Sequence, residues 1–260
     1  MQGLIWTAAA LAGLGFSARY TWWRPALKGV PIFMYHHITD ELNGTPLPKL
    51  RVSPRCFARQ LDIIQKAGFQ AVTLSRALSA DAPAKPCVIS FDDGYDNFLT
   101  NAWPLLKKRG MSATVFLVTK EIGGSNRWDL GKGEPQEAML SREQVLDLAD
   151  QGVEFGGHTR DHLNLTTLDE AELAEQIKGC QKDLTRLLGS PARVFSYPFG
   201  AYNQKAADMA REAGFDLACT TRPGKAGSAT PPFELPRIIV KRADDSLDFR
   251  IKLSRAKSRL

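Results

Sequence analysis

The sequence predicts an α/β barrel, and three observations carry that prediction. Short apolar stretches rich in β-branched residues alternate with longer stretches of helical periodicity, which implies a parallel sheet with helices outside it. The alternating part spans about 220 residues, an ordinary size for one α/β barrel domain. Acids and histidines follow directly on predicted strand ends, where such barrels keep their chemistry.

The elements follow in chain order. Strands are expected over 31–35, 71–74, 87–91, 113–118, 153–157, 193–197, 216–220 and 235–240, each a short apolar run bounded by turn residues. Helices are expected over 57–67, 98–109, 141–151, 169–188 and 204–213, where apolar residues recur every three to four positions. No internal repeat interrupts the series. The clearest long loop is 123–135, whose Trp128 is read either as packing or as a wall of a substrate groove.

Two strand ends carry the chemistry. Cys87-Val88-Ile89-Ser90-Phe91 runs into Asp92-Asp93-Gly94, and Val153-Glu154-Phe155-Gly156-Gly157 runs into His158, with His162 four residues on. Neighbouring side chains on an extended backbone face opposite ways, so the two carboxylates are expected to do different jobs, one binding a cation and the other facing a water. One Asp and two His leave a coordination position open on a divalent ion, as hydrolytic metal sites require. An Asp-Asp-Gly alone is more often a plain turn. The chain has only four histidines, however, and His36, His37, His158 and His162 fall in two clusters. A glycosidase built on Asp92 and Asp93 is excluded, since adjacent residues cannot flank a bond from opposite sides.

The segments Ser90–Tyr95, His158–His162 and Ser196-Tyr197-Pro198-Phe199-Gly200 resemble the successive motifs of the polysaccharide deacetylases, the NodB-homology or family-four carbohydrate esterases. Pro31–Ile38, with Met34-Tyr35-His36-His37, resembles the opening strand of the branch that contains the biofilm poly-N-acetylglucosamine deacetylases. The resemblance runs from about residue 30 to about residue 250. It implies a distorted (β/α)7-type barrel and a metal-dependent hydrolase removing acetyl groups from N-acetylated amino sugars of a surface polysaccharide or a lipid-linked glycan precursor. By the same resemblance Asp92 is the catalytic base, Asp93, His158 and His162 are the metal ligands, and His36, in preference to His37, is the general acid. The Phe199 N–H matches the oxyanion donor, in a loop where Tyr197 and Pro198 also meet substrate. The implied cofactor is Zn2+ foremost, with Co2+ or Ni2+ as alternatives. The sequence departs from the broader family in two places: Ser196 stands where many members have an Arg that orients the base, and no Leu-x-His follows near the C-terminus. Arg237 is then a candidate to replace the missing Arg by pairing with Asp92, the other reading being a surface charge at a strand end. An O-acetyl esterase and a catalytically silent glycan-binding relative stay open as alternatives.

The chain ends carry a second expectation. Residues 2–18 hold no charge, and Leu4 to Phe16 is apolar or small, followed by Arg19, Trp22, Trp23 and Arg24. Residues 1–24 are therefore read as a membrane segment or uncleaved signal anchor, which implies membrane association at a bacterial inner membrane with the side of the catalytic domain open. Residues 25–250 form the catalytic domain, and 251–260 a basic tail. From 237 to 260 there are eight Lys or Arg against three Asp, so most of the chain's net +6 lies there. That charge comes without a nucleic-acid module, and neither a nucleic-acid nor a protein partner is expected. Cys56, Cys87, Cys180 and Cys219 have neither zinc-site nor disulfide spacing.

Overall fold

The computed structural model describes residues 25–258, together with the isolated positions Trp6 and Gly13. Among these residues ten strands occur: β1 (Ile32–Tyr35), β2 (His37–Ile38), β3 (Arg51–Val52), β4 (Gln70–Ala71), β5 (Pro86–Phe91), β6 (Thr114–Leu117), β7 (Glu154–Gly157), β8 (Val194–Ser196), β9 (Leu217–Pro223) and β10 (Leu235–Ile239). The α-helices are α1 (Pro54–Lys66), α2 (Leu74–Ala77), α3 (Trp103–Lys107), α4 (Arg142–Asp150), α5 (Glu170–Leu188), α6 (Gln204–Glu212) and α7 (Ser246–Arg255). Strands β1, β10, β9, β8, β7, β6 and β5 pair in that order, all parallel, and β5 pairs back onto β1. This closes a seven-stranded barrel with helices around it, the distorted (β/α)7 form that the sequence predicts.

The distortion has a visible cause. β4 pairs only with the start of β5, Gln70 opposite Pro86 and Ala71 opposite Cys87, while Ser112 N–H donates to the Ala71 carbonyl at 3.1 Å. β5 and β6 meet only further up, at Ser90 and Thr114. β4 is thus a wedge at the N-terminal end of the barrel rather than a full stave. The strand expected over 71–74 stops early because Thr73 caps α2, its side chain accepting from Arg76 N–H, and the Glu154 carboxylate accepts from Leu74 N–H at 2.8 Å. The helix expected over 98–109 divides into a π-helical turn, Phe98–Ala102, and α3. Pro104 has no N–H to continue the ladder there.

Inside the barrel, side chains alternate as strand geometry requires. Ile32, Val88, Phe116, Val194, Cys219 and Leu235, from six strands, pack together as an apolar floor. The opposite faces, including Phe33, Ile89, Val115 and Phe195, pack outward with helix residues such as Leu61 and Leu184. Gly156 makes room in the floor, since a Cβ there would lie 2.5 Å from Val194 Cγ2 and 2.9 Å from Phe116 Cδ1. Gly156→Ala is therefore expected to cost about 1–3 kcal/mol by overpacking. A lower midpoint in chemical denaturation checks this, and an unchanged midpoint contradicts it.

The C-terminal region is more structured than its charge suggests. α7 runs across the boundary expected at 250/251, is capped by the Asp245 side chain, and buries Phe249, Ile251 and Leu253. Lys252 donates to the Ile239 carbonyl at 2.8 Å and pairs with Asp244, so part of the basic charge is used internally. All four cysteines are free thiols, and Cys87, Cys180 and Cys219 are buried.

The membrane expectation is corrected. No helix among the described residues is long and apolar enough to cross a membrane, so neither membrane association nor an inner-membrane location is supported. The run Leu4 to Phe16 is 13 residues, against about 20 for a span. Apart from Trp6 and Gly13, the segment 1–24 lies outside the described residues.

Candidate active site

The C-terminal mouth of the barrel turns polar two residues above the apolar floor. Alternation carries the inward face from Val88 to Ser90 and Asp92, from Val194 to Ser196, from Leu235 to Arg237 and from Gly156 to His158. Asp92 N–H still donates to the Tyr35 carbonyl at 3.0 Å, so Asp92 keeps the strand's inward direction. The chain then turns sharply: Asp93 has φ +74° and Gly94 φ +86°. A Cβ at Gly94 would sit 2.6 Å from Leu117 Cδ2. Asp is among the residues that tolerate the left-handed region, and the turn brings the second carboxylate to the same cavity as the first. The two carboxylates have separate partners, as expected, yet their side chains do not diverge to opposite faces.

The histidine loop is held as firmly. His158 N–H donates to the Leu117 carbonyl at 2.9 Å, continuing the β6–β7 pairing. Thr159 and His162 take left-handed φ of +67° and +56°, and His162 N–H donates to Thr159 Oγ1 at 3.0 Å. Buried Gln176, from α5, accepts from the N–H groups of Arg160 and Asp161 at 3.1 and 2.9 Å and donates to the Asp161 carboxylate at 2.7 Å. This loop fixes two buried imidazoles around Asp93. His158 Nε2 and His162 Nε2 each lie 3.4 Å from Asp93 Oδ1.

Those three side chains fit a divalent metal ion. One ligand atom from each lies within 4.8 Å of the others, and all three residues are buried. Asp93 Oδ1 is buried without a hydrogen bond, which is costly for a carboxylate unless a cation meets it. His158 Nδ1 lies 2.7 Å from the Ser196 carbonyl, which fixes that nitrogen as an N–H, so that Nε2, facing Asp93, is the atom that would meet a metal. Burial pushes the Asp93 carboxyl up, but the neighbouring imidazoles, the hydrogen bond from His158 foremost, outweigh it and hold it below its ordinary range. Burial lowers His162 to about 3, so its ring is neutral, the form a metal needs.

Asp92 is held by a different partner. Arg237, fully buried, donates from Nη1 to Oδ1 at 2.6 Å and from Nη2 to Oδ2 at 2.7 Å, a bidentate pair. The guanidinium is aligned by the Thr220 carbonyl at 2.9 Å and by Ser196 Oγ at 3.0 Å. Burial pushes the Asp92 carboxyl up, while Arg237 and then His158 overcome that and keep it ionised below the usual range. Arg237 is thus an interior residue of the barrel, and its guanidinium meets the carboxylate that the sequence left in need of one.

A cavity of about 130 Å3 unites Asp92, Asp93, His158 and His162 with His36 and Phe199 on its wall. His36 is half-buried and His37 is buried. Phe199 takes φ +60°, ψ 1°, a backbone strain that non-glycine residues retain mainly at functional sites, and its ring stands edge-on to His162 at 4.7 Å. Trp128 lies in a 3-10 turn, Arg127–Asp129, with its ring 5.0 Å from His162, so it both packs and lines the cavity. Tyr197 does not reach the cavity with its ring: it is fully buried, stacks on Tyr202 and donates to the Phe233 carbonyl at 3.1 Å. Pro198 is buried beside it. The residues that sequence reasoning missed are Ser90, Ser196 and Thr220, which surround Arg237. The period of two through Val88, Ser90 and Asp92 was the signal that could have placed Ser90 with them.

The chain is similar to known proteins in family, sequence and fold. A family model described as polysaccharide deacetylase matches residues 79–218. The polysaccharide-deacetylase relative YxkH of Bacillus subtilis is 31% identical over 216 residues, covering 81% of this chain and 71% of that protein. A poly-beta-1,6-N-acetyl-D-glucosamine N-deacetylase of Staphylococcus aureus is 26% identical over 179 residues, and the match covers 65% of this chain but only 59% of that protein. Among solved structures, Streptococcus pyogenes deacetylase PplD in complex with acetate superposes with a TM-score of 0.73 at 26% identity, covering 87% of this chain and 97% of that one.

Proposed function

We propose, from the premise that this chain belongs to the polysaccharide deacetylase family, that it is a zinc-dependent hydrolase removing acetyl groups from N-acetylated amino sugars of a polysaccharide or a lipid-linked glycan precursor. The observation that carries the reading is the pairing of two devices in one cavity: a buried Asp93–His158–His162 cluster fit for a divalent ion and a buried, ionised Asp92 held by Arg237. The likeness to an N-deacetylase of poly-beta-1,6-N-acetyl-D-glucosamine supports the N-acetyl substrate class.

In this mechanism Asp93, His158 and His162 hold the ion, which when bound supplies Lewis acidity toward water and the acyl oxygen. Asp92 takes the proton from the attacking water, and Arg237 keeps both carboxylate oxygens in place while it does so. The Phe199 N–H donates to the oxygen that gains charge as the carbonyl becomes tetrahedral. His36 gives a proton to the departing nitrogen. The strained backbone at Phe199 serves to aim its N–H, and the apolar floor keeps bulk water from the base.

The test is acetate release from N-acetylglucosamine oligomers and from O-acetylated sugar, with and without chelator. Chelator-sensitive release from the N-acetyl substrate is the expected result. Release from the O-acetyl substrate alone makes the protein an esterase, and no release from either with no metal taken up makes it a silent glycan binder. Metal binding has its own readout. Zn2+ at about 100 times its dissociation constant is expected to stabilise the fold by about 2.7 kcal/mol, seen as a rise in Tm that His158→Ala abolishes. An equal rise in the variant would remove His158 from the ligand set.

A further inference from the structure

The opening strand carries a second histidine that the mechanism does not use. His37 lies on the wall of the same cavity as Asp92 and His158 and is 6% exposed. Its ring packs against Tyr95 with centroids 3.7 Å apart and planes tilted by 31°, so its orientation is held. Its backbone is fixed too: β2 pairs with β3, His37 opposite Arg51, and Asn101 Nδ2 donates to the neighbouring Ile38 carbonyl at 2.8 Å.

The tautomer of His37 follows from its other neighbour. Asn97 Oδ1 accepts from Ile38 N–H at 2.8 Å, and because a backbone N–H can meet only an acceptor, the orientation of the Asn97 amide is settled. Asn97 Nδ2 is then the group that lies 3.1 Å from His37 Nδ1. That nitrogen has only protons to offer, so Nδ1 is an acceptor and carries none of its own. The ring proton must be on Nε2. Burial, with Arg51 beyond it, lowers His37 to about 3, in keeping with a neutral ring. Among the described residues Nε2 makes no hydrogen bond within the protein.

From this geometry we infer that His37 is a substrate-positioning residue: its Nε2–H, locked by Asn97 and Tyr95, donates to an acceptor oxygen of the sugar held in the cavity. The inference rests on the proposed deacetylase reading for its substrate. It assigns His37 a different role from His36: His36 transfers a proton, whereas His37 keeps its own and recognises a hydroxyl or ring oxygen. The Asn97 side chain sits where the chain enters the π-helical turn Phe98–Ala102. The turn therefore has a use, because Asn97 and Asn101 clamp β2 from one short segment.

Two measurements on the full-length, metal-loaded protein test the inference. The first is 15N-histidine NMR, tractable with four histidines in the chain, in which His37 is expected to show an unprotonated Nδ1 and a protonated Nε2 from pH 5 to pH 9. A protonated Nδ1 overturns the inference without reference to any activity. The second is kinetics on N-acetylglucosamine oligomers. His37→Phe keeps an aromatic ring against Tyr95 and removes the donor, so kcat/KM is expected to fall about tenfold through KM, the loss of one hydrogen bond made equally to substrate and transition state. His37→Gln, whose amide N–H reaches about as far as Nε2–H, is expected to recover most of that loss and covers the case in which the Phe variant does not fold. An unchanged KM in His37→Phe, or a fall confined to kcat, overturns the inference. Absence of turnover in the unsubstituted protein would instead overturn the deacetylase reading, leaving the NMR result to decide the tautomer.

Discussion

An Asp92→Asn protein is expected to release acetate about a hundred- to ten-thousandfold more slowly than the unsubstituted protein, the usual contribution of a positioned general base, while still taking up metal. The separation follows from the site. Asp92 is bonded to Arg237 at 2.6 and 2.7 Å, whereas the metal-fit cluster consists of Asp93, His158 and His162. Neutral Asn can accept one hydrogen bond from the guanidinium but cannot neutralise it or accept a proton from water. Loss of one charge from a buried ion pair also destabilises proteins by about 3–5 kcal/mol, so the variant should melt earlier. Metal content and acetate release measured on the same preparation check the prediction. A variant that loses both together would mean that Asp92 helps hold the ion.

Arg237→Met is expected to move the acid limits of both activity and stability to higher pH. In the folded protein the Asp92 pKa is lowered, so it lies below its unfolded value of about 3.9. A lowered carboxylate contributes stability that is present above the unfolded value and lost as pH falls through the folded one. With Met in place of Arg237, burial is no longer opposed by the guanidinium and the Asp92 pKa rises. The acid limb of kcat/KM and the onset of acid unfolding should both move to higher pH, and a base protonated at working pH lowers turnover as well. Arg237→Lys, which restores a charge without the two-pronged geometry, should recover part of the shift. A pH profile in Arg237→Met that superposes on that of the unsubstituted protein would remove Arg237 as the group that holds the base ionised.

How much of this was legible in the sequence depends on whether a feature is local. The strand ending at Phe91 and the one ending at Gly157 are readable because their apolar runs stop at glycine turns, and their acids and histidines stand next to those turns. The helix expected over 98–109 was misread in form because a helical pattern does not reveal the change from π-helical to α-helical winding between Ala102 and Trp103, nor that Asn97, just before the π-helical turn, and Asn101, within it, hold β2. The short strand β4 was overextended because Thr73 looks like a strand residue until its side chain is seen capping α2. The basic stretch after residue 250 reads as a tail because its charges hide the apolar positions 249, 251 and 253, which only packing against the barrel brings to notice.

The sequence by itself determined the alternation of strands and helices, hence the parallel barrel, and placed an Asp-Asp pair and two histidines at local strand-end turns; that Asp93 rather than Asp92 joins His158 and His162 was implied by the family resemblance. Only the tertiary structure decided that Arg237, 145 residues from Asp92, is its partner. It alone decided that β4 is a wedge and that His37 presents Nε2–H to the cavity. The first depends on β1 pairing with both β5 and β10, the second on the short register between β4 and β5, and the third on Asn97 reaching β2; these are contacts between separate parts of the chain that leave no periodic mark on the residues that take part.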